Sequence, residues 1–70
     1  MPVIAIHTVQ RSGSWANEIC GVQVGSLHDA KEAAVSAAGV AAAHCKLDHQ
    51  IHGADGLVVE TRPYRAADAR

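Results

Sequence analysis

Aromatic side chains are scarce in this chain of 70 residues, which contains one Trp, one Tyr and no Phe. Almost half of the residues (49%) are apolar, but many of them are alanine, whose burial removes little apolar surface from water. A chain of this length forms one domain and buries only about 60% of the surface that it exposes when unfolded. Because neither a disulfide framework nor an obvious metal site supports so small a core, the sequence predicts self-association, with a dimer favoured.

The chain also lacks a concentrated basic patch and a long apolar run. Its formal net charge is −1 and its six Lys and Arg residues are scattered, which argues against binding to a nucleic-acid duplex. No apolar run approaches the roughly 20 residues that cross a bilayer, and no secretory signal is recognised. Cys20 and Cys45 fit a reducing compartment and are predicted to be buried free thiols. We therefore expect a cytoplasmic protein that binds neither a membrane nor a cofactor.

Four segments have the composition or the alternation of strands, with turn residues between them. They cover residues 3–9, 15–20, 47–52 and 57–62. After Gly21, Val22 to Val24 alternates again, and this segment is either a short third strand or the continuation of a bulged second one. Asp55-Gly56 predicts the turn of the last hairpin, since glycine adopts a positive φ at little cost, and Pro63 ends the final strand.

An alanine-rich helix precedes residue 47. Asp29 and Glu32 have the spacing of a capping box, in which each side chain bonds the backbone of the other. At about 100° per residue, one face of this helix is predicted to be buried. It comprises Ala30, Ala33, Ala34, Ala37, Ala38, Ala41, His44 and Cys45. Val35 and Ala42 lie off this face, so we expect them on an edge that a partner can cover or that stays exposed.

The predicted order of elements is β-β-(β)-α-β-β. The hairpins favour an antiparallel sheet of four to five strands, with the helix on one face, in an α+β domain. This domain is predicted to span residues 1–64, with a flexible tail over residues 65–70. The second face of the sheet is then either solvated or covered by another copy of the chain.

Three parts of the chain are shared with a known family. They are Gly13-Ser14-Trp15 before the second strand, Asp29 to Ala34 at the start of the helix, and Gln50 to Val58 around the last hairpin. With the opening strand, they make the chain resemble the small bacterial domain-of-unknown-function family 2188 over nearly its whole length. That family commonly has Thr in place of Asp29, and a more basic stretch where Gly21 to Gly25 is neutral here. The resemblance implies the fold and a bacterial origin, but no activity.

The start of the chain gives one enzymatic hypothesis. Met1 to Ile6, followed by Arg11 and Ser12, is similar to the opening of small tautomerases, in which a proline nitrogen exposed by loss of Met transfers a proton beside a carbonyl. In those enzymes a helix follows directly, and arginines hold a carboxylate substrate. Here Gly13-Ser14-Trp15 opens a strand, and the helix contains no arginine. Pro2 is therefore the catalytic candidate of a competing hypothesis.

Histidine and cysteine cluster around the end of the helix. His44, Cys45 and His49 are candidate ligands, because imidazole and thiolate bind zinc, copper and nickel. The spacing matches no standard metal module, and His49 and His52 occupy odd and even positions of one strand, so they point to opposite faces. The alternative is that His44 and Cys45 line the inner face of the helix. We therefore predict no metal cofactor, and His52 stays open to a functional role.

Trp15, Tyr64 and Arg62 are the remaining candidates. Aromatic rings beside arginines on an open sheet can stack on bases. The charge balance does not favour this use, and a lone Trp in a small domain usually packs in the core. The sequence therefore predicts a non-enzymatic interaction or self-association module. Its candidate contact residues are Val35, Ala42, Trp15, Tyr64 and Arg62, and its protein partner is not specified.

Overall fold

The computed structural model describes residues 4–64, and the expected order of elements is confirmed. The five strands and one helix are β1 (Ala5–Arg11), β2 (Ser14–Ile19), β3 (Val22–Gln23), α1 (Lys31–Cys45), β4 (Asp48–His52) and β5 (Val58–Arg62). Pro2 and the predicted tail over residues 65–70 lie outside the described residues. The domain boundary at residue 64 therefore stays a prediction.

The sheet is mixed, so the expectation of a wholly antiparallel sheet is wrong. Its strand order is β3-β2-β1-β4-β5, and β4 runs parallel to β1 with Ile6 opposite His49. All other neighbours are antiparallel. A parallel pair requires a crossover of a dozen or more residues. The helix supplies that crossover, because it carries the chain over one face of the sheet between β3 and β4.

Tight turns define the three hairpins, and the first turn, over residues 12–13, has positive φ at both positions, 52° and 84°. Cys20 and Gly21 both have positive φ, 52° and 79°, which is the conformation of a two-residue turn between antiparallel strands. This turn makes β3 a separate short strand rather than a continuation of β2. In the last hairpin Gly56 has a φ of 87°, and the Asp55 carboxylate accepts a hydrogen bond from the Leu57 amide at 3.1 Å. The predicted Asp-Gly turn is confirmed.

The start of α1 differs from the expected capping box. The helix begins at Lys31, and the capping position belongs to Ala30, which makes no side-chain hydrogen bond. Asp29 therefore lies one residue before the capping position. At the other end, Lys46 adopts the left-handed conformation and its amide bonds the Ala42 carbonyl, which ends the helix.

The buried face of α1 is narrower than predicted and is rotated around the helix axis. Its fully buried residues are Ala34, Ala38 and Ala42, one every four positions. Ala42 is 0% exposed, so its assignment to an exposed edge is wrong, whereas Val35 is half-buried. Five residues expected on the inner face are exposed: Ala30, Ala33, Ala37, His44 and Cys45. A helix with alanine on nearly every side has too little apolar asymmetry for its sequence to select the face.

The core forms where α1 crosses the central strands. Ile6, Ala38 and Ala42 make up the buried cluster, and Tyr64 is among the half-buried residues that pack around it. Alanine on the helix allows a close approach to the sheet because it has no side chain beyond Cβ. The two cysteines take no part in this core, since Cys20 and Cys45 are both exposed free thiols, which corrects the expectation that they are buried.

Candidate functional site

A chain of buried hydrogen bonds joins the centre of the sheet to α1. Thr8 Oγ1 donates to Asn17 Oδ1 at 2.7 Å, and Asn17 Nδ2 donates to the Ala34 carbonyl at 3.0 Å. Because the Thr8 proton is used in this bond, His49 Nε2 donates to Thr8 Oγ1 at 2.7 Å. The lone pair of the neutral His49 ring is then at Nδ1, a buried atom without a partner among residues 4–64.

This network fixes the chemical state of His49. Burial is the largest cause that lowers the pKa of its imidazole, and the positive charge of Arg62 lowers it further. Both effects favour the neutral ring, which uses its one N–H inside the core. Its role in the structure is to connect β4 to β1.

A pair of histidines, His7 and His52, lies on the opposite face of the sheet. His52 Nδ1 donates to the Gly56 carbonyl at 2.9 Å, so the neutral ring accepts at Nε2 from His7 Nδ1, also at 2.9 Å. Partial burial, followed by the neighbouring His52, lowers the pKa of His7. His49 and His52 thus point to opposite faces as predicted. The bond to Gly56 gives His52 a structural role in holding the turn of the last hairpin.

A groove of about 520 Å³ separates α1 from β5. Its apolar lining comes from Val35, Ile51 and Val59, and its charged lining from Lys31, Glu32, Glu60 and Arg62. Arg62 Nε donates to Glu60 Oε2 at 2.7 Å. This bond is the largest cause that lowers the pKa of Glu60 and raises that of Arg62. Both side chains therefore stay charged, and the charges along the groove are balanced in sign.

The outer edge of β5 exposes the largest apolar side chains near this groove. Leu57 is 68% exposed, Val58 47% and Val59 61%. β5 is the last strand of the sheet order, so alternate backbone groups along it are directed away from the sheet. The sequence contained a signal for this surface, because Leu57 to Val59 is an apolar run without alternation. Only the strand order, however, places it at an edge.

The direction of those backbone groups follows from the last hairpin. The Gly53 amide donates to the Leu57 carbonyl at 2.8 Å, so Gly53 faces β5. The register shifts between Ile51 and His52, and the extra residue of this β-bulge, Val59, is on β5. Backbone direction therefore alternates without interruption along β4, so Ile51 and its partner Glu60 also face one another. The next residue, Thr61, then directs its N–H and C=O to the free edge.

The predicted metal ligands are not brought together. His44 and Cys45 are exposed at the end of α1, whereas His49 is fully buried under the helix. Within residues 4–64, no group of three His, Cys, Asp or Glu side chains is placed to hold a metal ion. The expectation that His44 and Cys45 line the inner face of α1 is wrong, because the buried face is rotated around the helix axis relative to the predicted one.

The three aromatic and arginine candidates lie at separate places. Trp15 is half-buried on β2, where Lys31 Nζ lies 5.4 Å from the centre of its ring. Arg62 is on β5, which β1 and β4 separate from β2 in the sheet order, and is paired with Glu60. Tyr64 packs against the core. The structure therefore forms no common stacking platform from these three residues. Among the predicted contact residues, Val35 and Arg62 are the two that line the groove.

Together these features define a small α+β domain with one helix on a five-stranded mixed sheet. No helix within residues 4–64 is both long enough and apolar enough to span a membrane. A family model described as an uncharacterised protein conserved in bacteria, DUF2188, matches residues 6–64. The chain belongs to this family, which confirms the resemblance found in the sequence. No match was found among curated proteins or among solved structures.

Proposed function

We propose that this chain is a non-enzymatic interaction module that binds by adding a strand to the free edge of β5. The observation that carries this proposal is the exposure of Val58 and Val59, with Leu57 just before them, on a strand whose outer backbone groups have no neighbouring strand within residues 4–64. Exposed apolar edge strands of this kind pair with other chains. Self-association is the form of binding that we expect.

The rest of the sheet supports this choice of surface. Soluble proteins usually protect an edge with short strands, proline, charged side chains or β-bulges, or by covering it with another segment. The opposite edge follows this rule, since β3 has two residues and the segment after it bonds back to β2 through Val24 and His28. β5 has five residues, and Pro63 comes only after its end. A β-bulge interrupts the first half of β5, where the register with β4 shifts. The regular stretch from Glu60 to Arg62 is therefore the part of an edge with room for an added strand.

The chemistry of the groove also supports binding. Its Glu60 and Arg62 are held in their charged states by their mutual hydrogen bond. Such a pair stabilises a fixed arrangement of charge, which can orient a partner, and it offers no group poised to exchange a proton near neutral pH.

Sedimentation velocity tests this proposal over a range from about 10 μM to about 1 mM, where small interfaces associate. We expect the average mass of the natural chain to rise above that of one chain. Thr61→Pro removes the outward N–H and should keep the mass at that of one chain, while the control Thr61→Ala keeps the N–H and should associate. Circular dichroism verifies that each variant is folded. Equal association of the folded Pro and Ala variants would contradict the proposal.

A further inference from the structure

We infer that the added strand is β5 of a second copy, antiparallel to the first, with Thr61 opposite Thr61 and Glu60 opposite Arg62. This inference rests on the proposed function and adds the partner and the register. The features that carry it are the direction of the backbone at Thr61 and the order of charges along β5.

Symmetry leaves few registers for such a pair. In an antiparallel pair, two opposite residues either both direct their N–H and C=O groups toward the partner strand or both direct them away from it. In a symmetric dimer, the two-fold axis must therefore pass between a residue and its own copy. An axis at Glu60 places that carboxylate opposite its own copy, which is unfavourable. An axis at Val59 places Arg62 beyond the end of the partner strand, opposite Gly56. Only the axis at Thr61 places opposite charges across the junction.

The geometry at this axis favours both hydrogen bonds and ion pairs. Because Thr61 directs its N–H and C=O outward, the two copies of Thr61 exchange both backbone bonds. Glu60 and Arg62 then form the adjacent pairs without backbone bonds, where opposing side chains approach most closely. Within one chain Arg62 already bonds Glu60 at 2.7 Å on the same face. The four charges of the dimer therefore alternate in sign around the axis.

The axis is perpendicular to the sheet, and this determines the shape of the assembly. Both copies of α1 lie on the same face of a continuous ten-stranded sheet. The groove between α1 and β5 in one copy adjoins the same groove in the other. The dimer thus has one wide groove with a helix on each side and alternating charges on its floor.

Charge reversal tests this register. In Glu60→Arg, two arginines face each other at each of the two symmetric positions, and in Arg62→Glu two glutamates do so. We expect each variant to associate at least about tenfold more weakly than the natural chain, since like charges replace opposite ones twice. An equimolar mixture of the two variants should form a heterodimer, and the double variant should recover the homodimer. Native mass spectrometry distinguishes these species.

Arg11 and Glu18 supply the matched control. They form a similar ion pair at 3.1 Å between β1 and β2, away from β5. Glu18→Arg and Arg11→Glu make the same changes in net charge and should associate like the natural chain. If Glu60→Arg and Arg62→Glu associate as strongly as these controls, the register is refuted. In that case loss of association in Thr61→Pro would still support strand addition at β5, whereas association unaffected by Thr61→Pro would refute the proposed function itself.

Discussion

Replacing Thr8 by Val should destabilise the domain by about 1–5 kcal/mol. The two side chains have nearly the same shape, and Thr8 is 0% exposed, so the substitution removes a hydroxyl without leaving a cavity. Asn17 Oδ1 then loses its donor and His49 Nε2–H loses its acceptor. Each buried group left unpaired costs about 1–3 kcal/mol, and the additional methyl group offsets about 1 kcal/mol of the total.

This loss is large for so small a domain. At about 0.05–0.15 kcal/mol per residue, a chain of this length has a free energy of unfolding of about 4–10 kcal/mol. The substitution should therefore lower the midpoint of urea unfolding markedly, with little change in the dependence on urea concentration. Thr61→Val on the exposed edge is the control, and at low protein concentration it should change the free energy of unfolding by less than about 0.5 kcal/mol.

A double-mutant cycle identifies the origin of the effect. Asn17→Leu removes the acceptor of the Thr8 hydroxyl, so the combined variant should lose less stability than the sum of the two single variants. The reasoning is refuted if Thr8→Val remains within about 0.5 kcal/mol of the natural chain, because the buried bonds would then contribute nothing measurable.

Three further predictions concern acid, packing and the helix. Burial lowers the pKa of His49 below its usual 6.5, so the unfolded chain binds more protons near that pH. The free energy of unfolding should therefore fall as the pH drops from about 7 through 6.5, and it should level off below the pKa of the folded state. NMR titration of the ring locates that pKa. A free energy of unfolding that does not change over this pH range would contradict the prediction. Ala38→Leu should lower the free energy of unfolding in urea by about 1–3 kcal/mol, because the larger side chain overfills the contact between helix and sheet. The exposed control Ala37→Leu should lower it by less than about 0.5 kcal/mol. Equal losses of stability in the two variants would refute this packing. Gly39→Ala should raise the midpoint of thermal unfolding, because alanine favours the helix by about 1 kcal/mol. Within residues 4–64, the added Cβ meets only the Tyr64 hydroxyl, at 3.4 Å. A lower midpoint would show that this hydroxyl cannot move.

The local parts of the fold could be predicted from the sequence because local chemistry determines them. Composition or alternation identified the strands, and Asp55-Gly56 identified the last turn. The parallel pairing of β1 with β4 could not be predicted, because it depends on the path of α1 over the sheet and leaves no mark on either strand. The face of α1 was missed because alanine occupies most sides of that helix, as the burial of Ala42 illustrates.

The candidate site was predictable only in part. Arg62 and Val35 were predicted to be contact residues, and both line the groove beside β5. That surface depends on the position of β5 in the strand order, which is a tertiary property. The pairing of Glu60 with Arg62 has a sequence signal, since residues two apart on a strand share a face. The buried role of His49 has none, because its partners Thr8 and Asn17 come from distant parts of the chain.

The single tryptophan can serve as an intrinsic fluorescent probe of folding. Trp15 is the only indole, and it lies on β2 near Lys31 at the start of α1. Its emission should follow the undocking of the helix from the sheet, and β1 and β4 separate it from strand pairing at β5. Folding and association can therefore be observed separately in the same unlabelled sample, the first by fluorescence and the second by mass.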